Sequence, residues 1–208
     1  MDRPTAILRS LESAYPGAPK TMLRHRTTFQ LLVATILSAQ CTDARVNIVT
    51  RRLFKTHRRP CDFASAPLRE IEALIRSTGF YHNKARNIKA ASRMILDEYS
   101  GRVPDTLDAL VRLPGVARKT ANIVLTTGYG RVEGIAVDTH VKRLSKRMGL
   151  TVSDDPAKIE QDLMSLLPRS EWPRVNRLLV THGRAVCTAR KPQCGACNIR
   201  RICPKHGV

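Results

Sequence analysis

The chain has 208 residues, and its 36 lysine and arginine residues outnumber the 17 aspartate and glutamate residues, so the formal net charge is +19 at pH 7. An apolar content of 42% is enough to form a packed core and argues against disorder, while an aromatic content of 4% makes that core aliphatic. No stretch approaches the ~18 continuous apolar residues of a membrane helix, and the N-terminus has no signal-peptide core. We therefore expect a globular protein that binds polyanions, with nucleic acid the first candidate and an anionic membrane surface the second.

Helical signals follow one another along the chain. The apolar run over 27–39 predicts a buried helix, Thr42 and Asp43 begin a second, and Ser65 is the predicted cap of a third that ends before Gly79. Further helices are predicted, in chain order, over 83–99, 105–113, 116–128, 138–148, 156–167 and 171–184. No segment alternates polar and apolar residues with a period of two, so the predicted fold class is all-α.

Basic residues concentrate in runs at 51–59 and 142–147 and in the tail over 190–201. Any one of these runs also fits an ordinary solvated surface. The summed charge of +19 favours nucleic-acid binding.

The segment LPGVARKTA, residues 113–121, places a Pro-Gly turn between two predicted helices. The first N–H groups of the second helix have no intrahelical acceptor, and together with the helix dipole they can bind an anion such as a backbone phosphate. A Pro-Gly turn is also a common connection between two helices without any binding role. Lys119 lies in the first turn of the second helix, where the positive helix end and Arg118 disfavour an ammonium and make the amine more nucleophilic.

Four of the six cysteines lie within 17 residues near the C-terminus, namely Cys187, Cys194, Cys197 and Cys203. This crowding is typical of a metal centre in a reducing compartment. The spacing alone leaves zinc, an iron–sulfur cluster and two disulfides open. Cys41 and Cys61 are interpreted as small buried apolar residues.

Three motifs in this order resemble the endonuclease III family, whose members are helix–hairpin–helix DNA glycosylases and AP lyases: LPGVARKTA, VDTHV at 137–141, and C-x6-C-x2-C-x5-C. The similar region extends from Phe29 to Cys203. The resemblance implies a [4Fe–4S] cluster held by the four clustered cysteines. It also implies a monomer that acts on double-stranded DNA in the cytoplasm, associated with the nucleoid and not with a membrane.

The resemblance further implies two helical lobes with DNA in the cleft between them. One lobe is a helical barrel over 22–132, with its helix–hairpin–helix at about 106–128. The other lobe is discontinuous, combines 1–21 with 133–208, and holds the cluster.

The activity implied is the excision of oxidised pyrimidines followed by β-elimination. Lys119 attacks C1′ of the damaged nucleotide and forms a Schiff base, while Asp138 helps to deprotonate the amine and stabilises positive charge on the sugar. Gln40 and Phe80 fill the gap left by the extruded nucleotide. The hairpin residues that contact DNA are Gly115, Val116, Ala117 and Arg118. The carbonyls of Val111, Leu113 and Val116 are implied as ligands of a monovalent cation.

Three residues depart from the family pattern. Ala117 replaces a second glycine, which would cost about 1 kcal/mol if the backbone there requires a positive φ. Val111 replaces a glutamate, and Phe80 is bulkier than the leucine common at that position. These departures bear on lesion preference and turnover more than on the type of reaction.

Two rival functions remain open from the sequence. One is a monofunctional adenine or mismatched-thymine glycosylase of the same fold, and the other is a non-catalytic DNA-binding protein. The presence of Lys119 together with Asp138 argues against both, because neither rival requires this pair.

Overall fold

The computed structural model describes residues 2–208, and this part of the chain contains helices, turns and loops but no β-strand. The prediction of an all-α fold is confirmed. The helices are α1 (Arg3–Ala14), α2 (Thr28–Leu37), α3 (Asp43–Thr56), α4 (Pro60–Ser65), α5 (Leu68–Ile75), α6 (Tyr81–Tyr99), α7 (Leu107–Val111), α8 (Arg118–Val124), α9 (Thr139–Arg147), α10 (Pro156–Leu166) and α11 (Trp172–Ala185). None of the helices within residues 2–208 has the length and apolarity needed to cross a membrane.

The chain divides into two compact units, each with its own apolar core. We call Thr21–Arg131 the hairpin unit, and Met1–Lys20 together with Val132–Val208 the cysteine unit.

The hairpin unit is built around α2, in which every residue except the first is buried. Thr27 caps this helix by accepting a hydrogen bond from the Gln30 N–H at 3.2 Å. From α3, Val46 and Leu53 pack into the same core and have no exposed surface, as the helical spacing predicts. Each fully buried side chain of this size contributes about 1.5–3 kcal/mol to stability.

In the cysteine unit, α1 packs on α11 through an apolar face that includes Leu11 and Leu178. The Arg177 guanidinium reinforces this packing by donating to both carboxylate oxygens of Glu12, at 2.8 and 2.7 Å. Both bonds come from one guanidinium nitrogen, Nη2, and they are charge-assisted because each partner is ionised.

Two sequence predictions in the hairpin unit are wrong. Ser65 does not cap a helix, because it is the last residue of α4, a helix the apolar pattern did not reveal, and its hydroxyl donates to the Cys61 carbonyl at 2.8 Å. The next helix, α5, follows Pro67 without a side-chain cap. Cys61 is exposed rather than buried, because it lies on the outer face of this short helix, while Cys41 is half-buried against the core.

Candidate active site and iron–sulfur centre

A tight turn joins α7 to α8 in the hairpin unit. The Val116 N–H donates to the Leu113 carbonyl at 3.0 Å and closes the turn. Gly115 has a φ of +78°, which favours glycine, and a Cβ at this position would lie 2.9 Å from the Cβ of Asn87 on α6. Both the backbone conformation and the close packing therefore require a glycine here.

Ala117 adopts an extended conformation, with φ −85° and ψ 168°. The cost considered for alanine at a positive φ does not arise, because only Gly115 carries that conformation in the turn. Ala117 is also the N-cap of α8, and it has no side-chain oxygen to accept from the first N–H groups of the helix. The helix end is thus left open to an external anion.

Lys119 is the second residue of α8, and its side chain is exposed. The helix continues into a π-helical turn, Leu125–Tyr129, which extends the segment behind it. The sequence prediction of a lysine in the first turn after the hairpin is therefore reproduced in the local structure.

Gln40 and Phe80 share an unusual backbone conformation in the same unit. Both are exposed, Phe80 by 64%, and both lie in the left-handed region with φ values of 52° and 48°. This conformation costs a non-glycine residue about 1–2 kcal/mol. Strain of this kind persists where surrounding contacts fix the backbone, and it is concentrated at functional sites. Phe80 is the residue before α6, so the helix begins two residues earlier than the predicted start at Asn83.

Asp138 caps α9 in the cysteine unit, at the predicted start of this helix. Its Oδ1 atom accepts from the N–H groups of His140 and Val141 at 2.9 and 2.8 Å. The cap uses one carboxylate oxygen, and the side chain is half-buried.

The four clustered cysteines line one pocket of the cysteine unit, together with Arg147 and His182. All of them are free thiols, so the alternative of two disulfides is not what the structure contains. Burial, followed by the neighbouring cysteines, raises the pKa values of Cys197 and Cys203. A bound metal centre would favour the thiolate forms that burial disfavours.

Four cysteines around one pocket are a donor set that fits an iron–sulfur cluster, and the same set also fits a tetrahedral zinc ion.

Arg147 holds the loop that bears the first of these cysteines. It is 9% exposed and donates to the Cys187 sulfur at 3.4 Å, to the Thr188 carbonyl at 2.7 Å and to the Ala189 carbonyl at 2.9 Å. Arg143, one turn earlier on α9, donates to the Cys187 carbonyl at 3.0 Å. Sequence reasoning placed both arginines in a basic run and missed this role, although their i, i+4 spacing on an amphipathic helix was the available signal.

The basic run over 142–147 also makes ion pairs within its own unit. Lys142 and Lys146 both pair with the Asp154 carboxylate, at 3.0 and 2.8 Å. Because these pairs are largely exposed, they hold the charges only weakly.

His182 has a structural role in the cysteine unit. Its Nδ1 is hydrogen-bonded to the Tyr15 hydroxyl at 2.9 Å, and its Nε2 lies 3.5 Å from the Cys197 sulfur. Burial lowers the pKa of His182 to about 4. The neutral ring thus links α1 to the cysteine loop.

Comparison with known proteins decides the family. The model of the HhH-GPD superfamily of base excision DNA repair proteins matches residues 33–169, and that of the iron–sulfur binding domain of endonuclease III matches residues 187–203. The endonuclease III of Synechocystis is 53% identical over 97% of this chain and 92% of its own length. That of Bacillus subtilis is 46% identical over 87% of this chain and 83% of its own length.

The chain belongs to the endonuclease III family. A solved structure of a trapped endonuclease III–DNA covalent intermediate superimposes with a TM-score of 0.91 at 44% identity, covering 99% of this chain and 97% of that one. A thermostable thymine-DNA glycosylase superimposes with a TM-score of 0.87 at 21% identity, which shows a shared fold only. As a member of the endonuclease III family, the chain carries the iron–sulfur binding domain, and its cofactor is a [4Fe–4S] cluster.

Proposed function

We propose that this chain excises oxidised pyrimidines from duplex DNA and cuts the strand at the resulting abasic site through Lys119. Its family makes it a DNA glycosylase and AP lyase of base excision repair. The proposal concerns the lesion and the residues that act. The observation that carries it is the exposed Lys119 amine in the first turn of an uncapped helix directly after the hairpin.

The proposed chemistry requires the Lys119 amine to lose a proton before it attacks the sugar. The Lys119 nitrogen bonds to C1′ as the glycosidic bond breaks, and the bond electrons leave with the base, which takes up a proton. Opening of the sugar ring then gives an imine, and loss of a C2′ proton expels the 3′ phosphate. The nucleotide must leave the stack for this attack, because C1′ is shielded within a duplex.

The other predicted residues take supporting roles in this proposal. The carboxylate of Asp138, which uses only Oδ1 for its cap, helps to remove a proton from the amine and stabilises positive charge on the sugar. Gln40 and Phe80 enter the gap left by the nucleotide. The turn from Gly115 to Arg118 holds a backbone phosphate without reading sequence. A monovalent cation on the Val111, Leu113 and Val116 carbonyls stays a prediction.

The cofactor has a structural part in this scheme. We propose that Cys187, Cys194, Cys197 and Cys203 are its four ligands. The bound cluster would supply four cross-links to a tail that has few helical contacts of its own. We also propose that the hairpin unit and the cysteine unit correspond to the two lobes of the family, and that the protein works as a monomer, in the cytoplasm, on nucleoid DNA.

The two rival functions make different demands on Lys119. A monofunctional glycosylase or a DNA-binding protein forms no covalent bond to DNA, whereas the proposed lyase forms an imine that borohydride reduces to a stable amine. Trapping on DNA with an abasic site therefore separates the three functions directly.

A matched pair of lysines makes the test specific. Lys158 is also exposed in the first turn of a helix, α10, but Asp155 caps that helix by accepting from the N–H groups of Ala157 and Lys158. Lys119→Ala should abolish trapping and strand cleavage while DNA binding survives, and Lys158→Ala should leave all three intact. Normal trapping by Lys119→Ala would place the nucleophile elsewhere.

A further inference from the structure

A buried lysine in the hairpin unit contacts the turns that carry Gln40 and Phe80, two residues with a positive φ. Lys84 is 5% exposed, although lysine is among the residues least often buried. Its ammonium donates to the carbonyl oxygens of Leu37 and Thr78, each at 2.8 Å. Burial lowers its pKa, which shows that desolvation of the ammonium opposes this placement.

The two carbonyls belong to the ends of two separate segments. Leu37 is the last residue of α2, and the chain reaches Gln40 three residues later. Thr78 ends the 3-10 turn Arg76–Thr78, and the chain reaches Phe80 two residues later. One ammonium therefore holds together the starting points of both turns.

The contact also satisfies a carbonyl that the helix leaves without a partner. The N–H group four residues beyond Leu37 is that of Cys41, and it donates to the Ser38 carbonyl at 3.1 Å instead. The chain thus turns away from the helical path at this point, and Lys84 supplies the missing donor. A positive charge is favourable at such a C-terminal helix end.

The backbone of Lys84 also contacts the turn that carries Phe80. Its N–H donates to the Phe80 carbonyl at 3.1 Å, so the same residue contacts the Phe80 turn through its backbone and its side chain. Gln40 and Phe80 keep a left-handed backbone that is unfavourable for their side chains. Contacts of this kind can fix such a conformation.

We propose that Lys84 is a positioning residue that fixes the turns bearing Gln40 and Phe80 relative to each other, so that both side chains enter the DNA stack together. This inference rests on the roles proposed above for Gln40 and Phe80. Lys84 itself is buried and touches no DNA in this scheme. It acts by presenting two side chains as one preformed wedge, which lowers the ordering cost of inserting them.

The first test compares Lys84→Met with Lys89→Met. Lys89 lies on the same helix, α6, and its ammonium also donates to a backbone carbonyl, that of Ala66, which is in neither turn. Both variants lose one charge, and Lys84→Met loses two ammonium–carbonyl contacts where Lys89→Met loses one. The fluorescence of 2-aminopurine next to the lesion reports extrusion of the nucleotide, and single-turnover excision reports the chemistry.

We expect Lys84→Met to reduce the extrusion signal and to slow excision from duplex DNA by about 5-fold or more, the lower end of the effect of one stacked ring. Trapping at a pre-formed abasic site should fall much less. Lys89→Met should match the wild-type protein in all three assays. Equal behaviour of the two methionine variants would overturn the inference.

A double-mutant cycle shows whether Lys84 acts through the wedge. In a Gln40→Ala/Phe80→Ala background, Lys84→Met should cause little further loss of extrusion, because the side chains that it positions are absent. A full additional loss would show that Lys84 supports the unit generally. If Lys84→Met does not fold at the assay temperature, the cycle uses Lys84→Gln, which retains an N–H donor but is too short to span both carbonyls.

The outcomes also separate this inference from the proposed function. No excision and no trapping by the wild-type protein would contradict the proposed function itself. Normal extrusion in the Gln40→Ala/Phe80→Ala variant would overturn the wedge and with it the role of Lys84. If Gln40→Ala/Phe80→Ala is defective in extrusion and Lys84→Met is normal, only the role of Lys84 is overturned.

Discussion

Phe80→Ala tests the wedge at its most exposed point. The ring is 64% exposed, so its removal takes little from the core, and alanine keeps the same left-handed backbone demand as phenylalanine. The free energy of unfolding should therefore change little. Any large loss of activity then reflects contacts made with DNA rather than damage to the fold.

The size of that loss follows from stacking. A base–aromatic stack contributes about 1–3 kcal/mol. Since each ~1.36 kcal/mol corresponds to a factor of ten in rate, Phe80→Ala should slow excision from duplex DNA by roughly 5- to 150-fold. A pre-formed abasic site has little stacking left to break, so cleavage there should be much less impaired.

The assay is single-turnover kinetics on duplexes that carry either an oxidised pyrimidine or an abasic site. Leu166→Ala is the control, because Leu166 is another exposed large apolar side chain, at 44%, on α10. It should leave both rates unchanged. Equal losses of Phe80→Ala on the two substrates, or no loss on either, would show that the ring is not a wedge.

Three further predictions concern the cofactor, the hairpin and the charge. The purified protein should be yellow-brown and contain iron, and Cys194→Ala should lose both properties; a colourless, active wild-type protein with one zinc per chain would contradict the cluster. Gly115→Ala should lower the free energy of unfolding by about 1–2 kcal/mol from its φ alone, with more from the contact with Asn87. Gly130 has a φ of +66° but no neighbour within 4 Å, so Gly130→Ala should lose only the ~1–2 kcal/mol that comes from φ. A denaturant titration measures both losses, and equal losses would refute the packing argument. With about 5 phosphates neutralised, log K for DNA should fall with a slope of about −4 to −5 against log[salt], and a flat profile would show that the net charge is not what binds.

Much of the fold and of the candidate site could be predicted because it depends on neighbours along the chain. Thr42 and Asp138 cap α3 and α9 at the predicted starts of these helices, since a cap joins a side chain to N–H groups two or three residues away. The hairpin turn is equally local, because Pro-Gly chemistry selects it within four residues. Predictions failed where two local interactions compete for the same side chain. The Ser65 hydroxyl donates to the Cys61 carbonyl of the preceding helix instead of capping the helix that follows.

The sequence by itself determined most of the helices, the order of the three motifs and which residues are candidates for the nucleophile and the cluster ligands. Only the tertiary structure decided what the buried cations do. The sequence shows a lysine, Lys84, on the same helical face as the apolar Ile88 and Ala91. It does not show the acceptor, because the Leu37 carbonyl is 47 residues away along the chain. Arg147 reaches Cys187 across 40 residues in the same manner. A cation can be buried only where the folded chain brings carbonyls or sulfurs to it, and no local pattern specifies that meeting.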